Sequence, residues 1–85
     1  MKLVSYLYQG REGFGFIRGD FIFPLHGLDE RLPEIIDPFL LDLDALLPVA
    51  RKAEKELIGK INWEHYGIAL NRVQLLAPVP RPGSL

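Results

Sequence analysis

Cysteine is absent from the 85 residues, which excludes disulfide staples, thiolate metal ligands and thiol nucleophiles at one stroke. No apolar run approaches the ~20 residues that cross a bilayer. Met1-Lys2-Leu3-Val4-Ser5-Tyr6 has neither the apolar core nor the small-residue cleavage site of a secretory signal. No membrane partner is therefore expected, and the expected compartment is the cytoplasm. Neither sign of charge is in surplus: ten Lys and Arg stand against eleven Asp and Glu, a net charge of -1. That is a poor footprint for polyanions, so nucleic acid is not an expected partner. No internal repeat is visible. What is present is an ordinary globular composition, 48% hydrophobic and 25% charged, in a length that suits one small domain.

Residues 2–25 are rich in aromatic and β-branched side chains punctuated by glycine, the mark of short strands joined by turns. Strands are expected near 2–8, 13–18 and 21–24. Arg18-Gly19-Asp20-Phe21 sets Gly-Asp between two apolar runs, and glycine at the first central position suits a type II′ hairpin because it tolerates positive φ. Period-two alternation then puts Phe14 and Phe16 on one face of their strand and Phe21 and Phe23 on one face of the next, enough for a single aromatic layer.

Farther along, Asp37-Pro38 reads as a helix start, Asp as cap and Pro at the first position, for a short helix over about 38–42. Leu46, Ala50, Ala53 and Leu57 form one apolar stripe at the helical period, predicting a long helix over about 45–58, capped by Asp44 and ended by Gly59. Pro48 argues against a start earlier than about Asp44. Glu56 and Lys60 add an i,i+4 pair. A loop follows over 61–71, then a strand over 72–76. In Ala77-Pro78-Val79-Pro80-Arg81-Pro82-Gly83 a proline at every second position favours an extended spacer. The expected architecture is α+β: residues 1–76 as one domain, a small antiparallel sheet with the two helices packed on it, and 77–85 as a Pro-rich linker.

The chemistry-bearing groups are few. Gly13-Phe14-Gly15-Phe16-Ile17-Arg18-Gly19 spaces its glycines one residue too long for a dinucleotide fingerprint, and no helix follows it. The same stretch resembles an aromatic RNA-binding strand, with Phe14, Phe16, Phe21 and Phe23 as stacking platforms. Against that reading stand Glu12, where a basic residue is wanted, and the commoner role of alternating phenylalanines as core. Arg18-Gly19-Asp20 spells an adhesion tripeptide that the hairpin turn already explains. His26 with Asp29 and Glu30, and His65 with Glu64, are too few to make a metal site or a catalytic dyad. Ser5 and Ser84 lack a nucleophile elbow. From Asp29 to Asp44 six carboxylates (Asp29, Glu30, Glu34, Asp37, Asp42, Asp44) face Arg31 alone, which reads as a solvated face. No catalytic, cofactor-binding or metal-ligating residue is assigned.

Taken together, Met1-Lys2-Leu3-Val4-Ser5-Tyr6, Leu28-Asp29-Glu30-Arg31-Leu32-Pro33 and Val73-Gln74-Leu75-Leu76-Ala77-Pro78-Val79-Pro80-Arg81-Pro82-Gly83 resemble the amino-terminal domain of fumarylacetoacetate hydrolase family proteins. Phe39-Leu40 and the Ala50-Arg51-Lys52-Ala53 helix fall where that family places its short and long helices. The closing Leu-Leu-x-Pro-x-Pro-x-Pro-Gly run is the most specific element. The resemblance implies a family that hydrolyses, isomerises or decarboxylates 1,3-dicarbonyl compounds and related oxo acids. Its magnesium or manganese polarises the enolisable carbonyl, while a positioned His and Glu handle proton or water. It places those groups in a carboxy-terminal domain that follows the Pro-Gly. Here Ser84 stands where lysine commonly follows, and no Asn-Tyr or His-x-x-Glu element comes after it. His26-Gly27-Leu28-Asp29 precedes the junction and takes no catalytic role. The expectation is a non-catalytic docking domain whose partner is the catalytic domain, in cis or in trans, with a homo-oligomer also admitted. Trp63, Tyr66 and the Pro-rich tail are its expected exposed apolar contacts.

Overall fold

The computed structural model describes residues 2–76, and the expected Pro-rich linker over 77–85 lies outside them. Strand β1 (Lys2–Tyr8) turns through Gln9-Gly10 into β2 (Arg11–Arg18), which turns through Gly19-Asp20 into β3 (Phe21–Pro24). Gly19 has φ +61° and Asp20 has no positive φ, the sign pattern of the expected II′ turn. The first turn has positive φ at both Gln9 (52°) and Gly10 (78°), the I′ pattern, and carries β2 back to Arg11, two residues before the expected strand start.

After β3 come α1 (Leu25–Leu28), α2 (Ile36–Leu41) and α3 (Leu43–Ile58). Residues 61–71, expected as loop, hold a 3₁₀ turn at Trp63–Tyr66, strand β4 (Ile68–Ala69) and a second 3₁₀ turn at Leu70–Arg72. The expected 72–76 strand is only β5 (Gln74–Leu75). All pairings are antiparallel, and the order β4-β3-β2-β1-β5 makes a five-stranded curled sheet. The fold is thus α+β, with one long helix.

The helix starts differ from expectation. Ile35, not Asp37, precedes α2, so Pro38 is its third residue, where an absent N–H is still no loss because the first four amides have no intrahelical acceptor. Asp42, not Asp44, precedes α3, and neither aspartate caps by a side-chain hydrogen bond. Pro48 is the sixth residue of α3, inside the helix, and lacks the N–H that would bond the Asp44 carbonyl. The helix tolerates this because its apolar stripe is anchored beyond Pro48: Ala50, Ala53 and Leu57 are buried, with Leu46 packed beside them.

The sheet sorts its side chains by period two. One face carries Phe14, Phe16 and Phe23 with Phe21 beside them, packed with Leu25, Leu32, Phe39 and the α3 stripe into the main core. Phe16 stacks on Phe23 at 5.2 Å between ring centroids, and Phe14 meets Phe39 at 5.2 Å. The other face carries a smaller cluster of Val4, Tyr6 and Ile22, flanked by Ile17, Ile68, Leu70 and Val73. Gly15 is buried between β1 and β3, and a Cβ there would run into the backbone carbonyl of Phe23. Only glycine lets the strands approach so closely. Among the described residues no helix is long and apolar enough to cross a membrane.

Candidate functional site

Where β3 ends at Pro24 and α1 begins, β2 runs on past its neighbour, and a crevice of about 200 Å³ opens between them. Tyr6 and Gly13 face each other across the β1–β2 ladder, and the absent glycine side chain leaves space that the Tyr6 ring fills. Tyr6 is 5% exposed, and burial pushes its phenol above the usual range. Arg11, Glu12, His26 and Glu34 supply the other polar groups of the crevice. The His26 ring is 2.7 Å from the Leu32 carbonyl through Nδ1. A carbonyl only accepts, so Nδ1 carries the hydrogen and Nε2 is turned to Glu34 Oε1 at 3.6 Å.

The remaining acidic groups do not converge. Asp29, placed at the end of α1, accepts from the backbone N–H of Arg31 at 3.0 Å, from its Nε at 3.0 and 3.2 Å, and from its Nη2 at 2.6 Å. Those hydrogen bonds hold its carboxyl down at about 2. Asp29 therefore serves a loop clasp, and His26 finds Glu34 rather than Asp29 or Glu30. His65 and Glu64 sit exposed in the 3₁₀ turn and make no hydrogen bond or ion pair with each other among the described residues. Ser5 is buried on the core face of β1, and Ser84 lies outside the described residues.

Phe14, Phe16 and Phe23 are at most 1% exposed, and the partly buried Phe21 packs against the same core. Trp63 is not a free apolar contact. It packs on Phe21 (6.3 Å, edge-on) and Phe23 (5.6 Å), with the Arg18 guanidinium 5.7 Å from its ring centre. Tyr66 is 46% exposed and meets Lys60 Nζ at 4.9 Å, and the expected Glu56–Lys60 ion pair is not among the described ones, Lys60 lying beyond the end of α3. Among the described residues Leu41 and Ile61 are the most exposed large apolar side chains, at opposite ends of α3, and Leu75 is half exposed on the outer strand β5.

Sequence reasoning missed the Tyr6–His26–Glu34 crevice. Tyr6 and Gly13 become neighbours only through the hairpin register, and Glu34 follows His26 by eight residues through a loop that obeys no period. Among the described residues no three His, Asp or Glu converge as a metal-donor set, so the divalent cation implied by the resemblance does not fit these side chains. Against family models, curated proteins and solved structures, the chain has no match.

Proposed function

We propose that this chain is a non-catalytic docking domain of the fumarylacetoacetate hydrolase type, working in the cytoplasm beside a metal-dependent catalytic domain joined to it or supplied as a separate chain. The observation that carries the reading is the run Leu75-Leu76-Ala77-Pro78-Val79-Pro80-Arg81-Pro82-Gly83, the most specific part of the resemblance. It starts on β5, the outer strand at one edge of the sheet. The α+β architecture agrees with the small module the reading requires. The described ion pairs are a clasp (Asp29–Arg31) and a pair (His26–Glu34).

The chemistry of the family then belongs to the partner, where a divalent cation stabilises the enolate of a 1,3-dicarbonyl compound. The purified chain supplied with magnesium and an acylpyruvate is expected to release no pyruvate above the enzyme-free blank. Sustained release that follows the protein through successive purification steps would refute the reading.

A further inference from the structure

The His26–Glu34 pair sets two acceptors against each other. Nδ1 carries its hydrogen toward the Leu32 carbonyl, so in the neutral ring Nε2 is a bare lone pair, and it faces Glu34 Oε1 at 3.6 Å. A lone pair and a carboxylate oxygen repel, and neither holds a hydrogen with which to bond the other. The arrangement becomes favourable when one donor group reaches both atoms. Points 3.6 Å apart can both lie about 2.9 Å, an ordinary hydrogen-bond length, from a single nitrogen.

The surroundings select the kind of donor. Among the described residues the ion pairs are His26–Glu34 and Arg31–Asp29, so neither Glu34 nor Glu12 is met by a lysine or arginine. The crevice sets Arg11 against Glu12 and Glu34, and with His26 neutral one negative charge is in surplus. That surplus disfavours an anion and favours a cation. A primary ammonium has three N–H donors and no acceptor. One serves Nε2, one serves Oε1, and the third is left for the Tyr6 phenol oxygen or the Glu12 carboxylate, which line the same crevice. Phe14 and Pro24 line it too and give apolar surface to the carbon that bears the nitrogen. At about 200 Å³ the space holds more than a water molecule.

We propose that the crevice between β2 and α1 binds a primary ammonium group, held between His26 Nε2 and Glu34 Oε1. The group ends either a free small amine or a lysine side chain of a partner, since both present the same three donors. This site is independent of the docking reading, which rests on the run that begins at Leu75.

The test is an NMR titration of the isotope-labelled full chain at constant ionic strength and about pH 8, above the ordinary imidazole range. The probes are methylammonium chloride, the blocked peptide acetyl-Gly-Lys-Gly-amide, and tetramethylammonium chloride, which carries the charge without an N–H. In the free chain the ring nitrogen signals of His26 are expected to show a bare Nε2. Methylammonium then shifts the His26 Nε2 and Glu34 carboxyl signals together to one saturable midpoint, while tetramethylammonium leaves both in place. Glu34→Gln is expected to raise that midpoint about threefold to tenfold, the worth of a part-exposed charged hydrogen bond. Glu64→Gln, outside the crevice, is expected to leave it unchanged. The amide signals of Phe16 and Phe23 report that each variant is folded. A lysine peptide that binds more tightly than methylammonium assigns the group to a protein partner, and one that binds no more tightly assigns it to a free amine; both uphold the site. It is overturned if methylammonium gives no saturable response, or if tetramethylammonium matches it. An unchanged midpoint in Glu34→Gln, an equal rise in Glu64→Gln, or an Nε2 already protonated in the free chain also overturns it.

Discussion

At the scale of single residues, Asp29 shows how a local clasp writes itself into pH behaviour. Its carboxyl is held at about 2, against an ordinary 3.8, mainly by the side-chain hydrogen bond from Arg31 and then by the Arg31 backbone amide. The folded chain thus keeps Asp29 ionised where the unfolded chain would bind a proton. Its contribution to stability is present above about pH 4 and is lost as pH falls through 2. Carboxyl-carbon NMR should give Asp29 a midpoint near 2, moving up toward 3.8 in Arg31→Ala. Gln9 is a second residue under local strain, because it holds φ 52° without being glycine. Gln9→Gly is expected to stabilise the chain by about 1 kcal/mol, the penalty an L-residue meets in that region. The check is an upward shift of the urea midpoint at unchanged m-value. Burial ranks the apolar residues in the same way. Phe16, fully buried, is expected to cost about 3 to 5 kcal/mol as Phe16→Ala. Leu41, 89% exposed, should change stability by less than about 0.5 kcal/mol as Leu41→Ser, measured by the same titration.

At the scale of elements, the two hairpins and the long helix differ in how openly the sequence announces them. Gly19-Asp20 is a turn signal because glycine takes positive φ freely, and the observed hairpin sits on it. Gln9-Gly10 needs positive φ from glutamine, an unusual demand, and so β2 began earlier than its glycines and phenylalanines indicated. In α3 the stripe Ala50, Ala53, Leu57 was legible from its period, whereas the start at Leu43 lies two residues before the expected one, because Pro48 argued against extending the helix back beyond about Asp44 and the helix accepts it as its sixth residue. Pro48 leaves the Asp44 carbonyl without its helical donor, so Pro48→Ala is expected to stabilise the chain by about 1 to 3 kcal/mol. Thermal unfolding would register this as a higher midpoint. Gly15 works in the opposite sense: its strand position reads as ordinary until β3 is placed beside it. Gly15→Ala should break the β2–β3 pairing, while Gly27→Ala, whose new Cβ would only reach Pro24 at 4.0 Å, should fold normally. Circular dichroism and the dispersion of amide signals separate the two results. Strand β4, two residues long, was beyond sequence reading, since so short a segment has no period and gains its place from the partners Phe21 and Ile22, whereas β5 falls inside the expected 72–76 strand and is only shorter than it.

At the scale of the whole molecule, the curled sheet uses one face for the helices and main core and the other for a smaller cluster around Tyr6 and Ile22. Of the rings that resembled base-stacking platforms, Phe14, Phe16 and Phe23 are buried in that main core and Phe21 packs partly buried beside them, a placement set by the helices and not visible along one strand. Among the described residues the β5 edge with its half-exposed Leu75 lies at the surface, and the docking proposal rests on the sequence run that begins there. Sedimentation velocity of the chain mixed with a purified catalytic domain of the fumarylacetoacetate hydrolase family tests that proposal most directly. A faster boundary holding both components at a fixed ratio is predicted; two boundaries that sediment independently across the concentration range would contradict it.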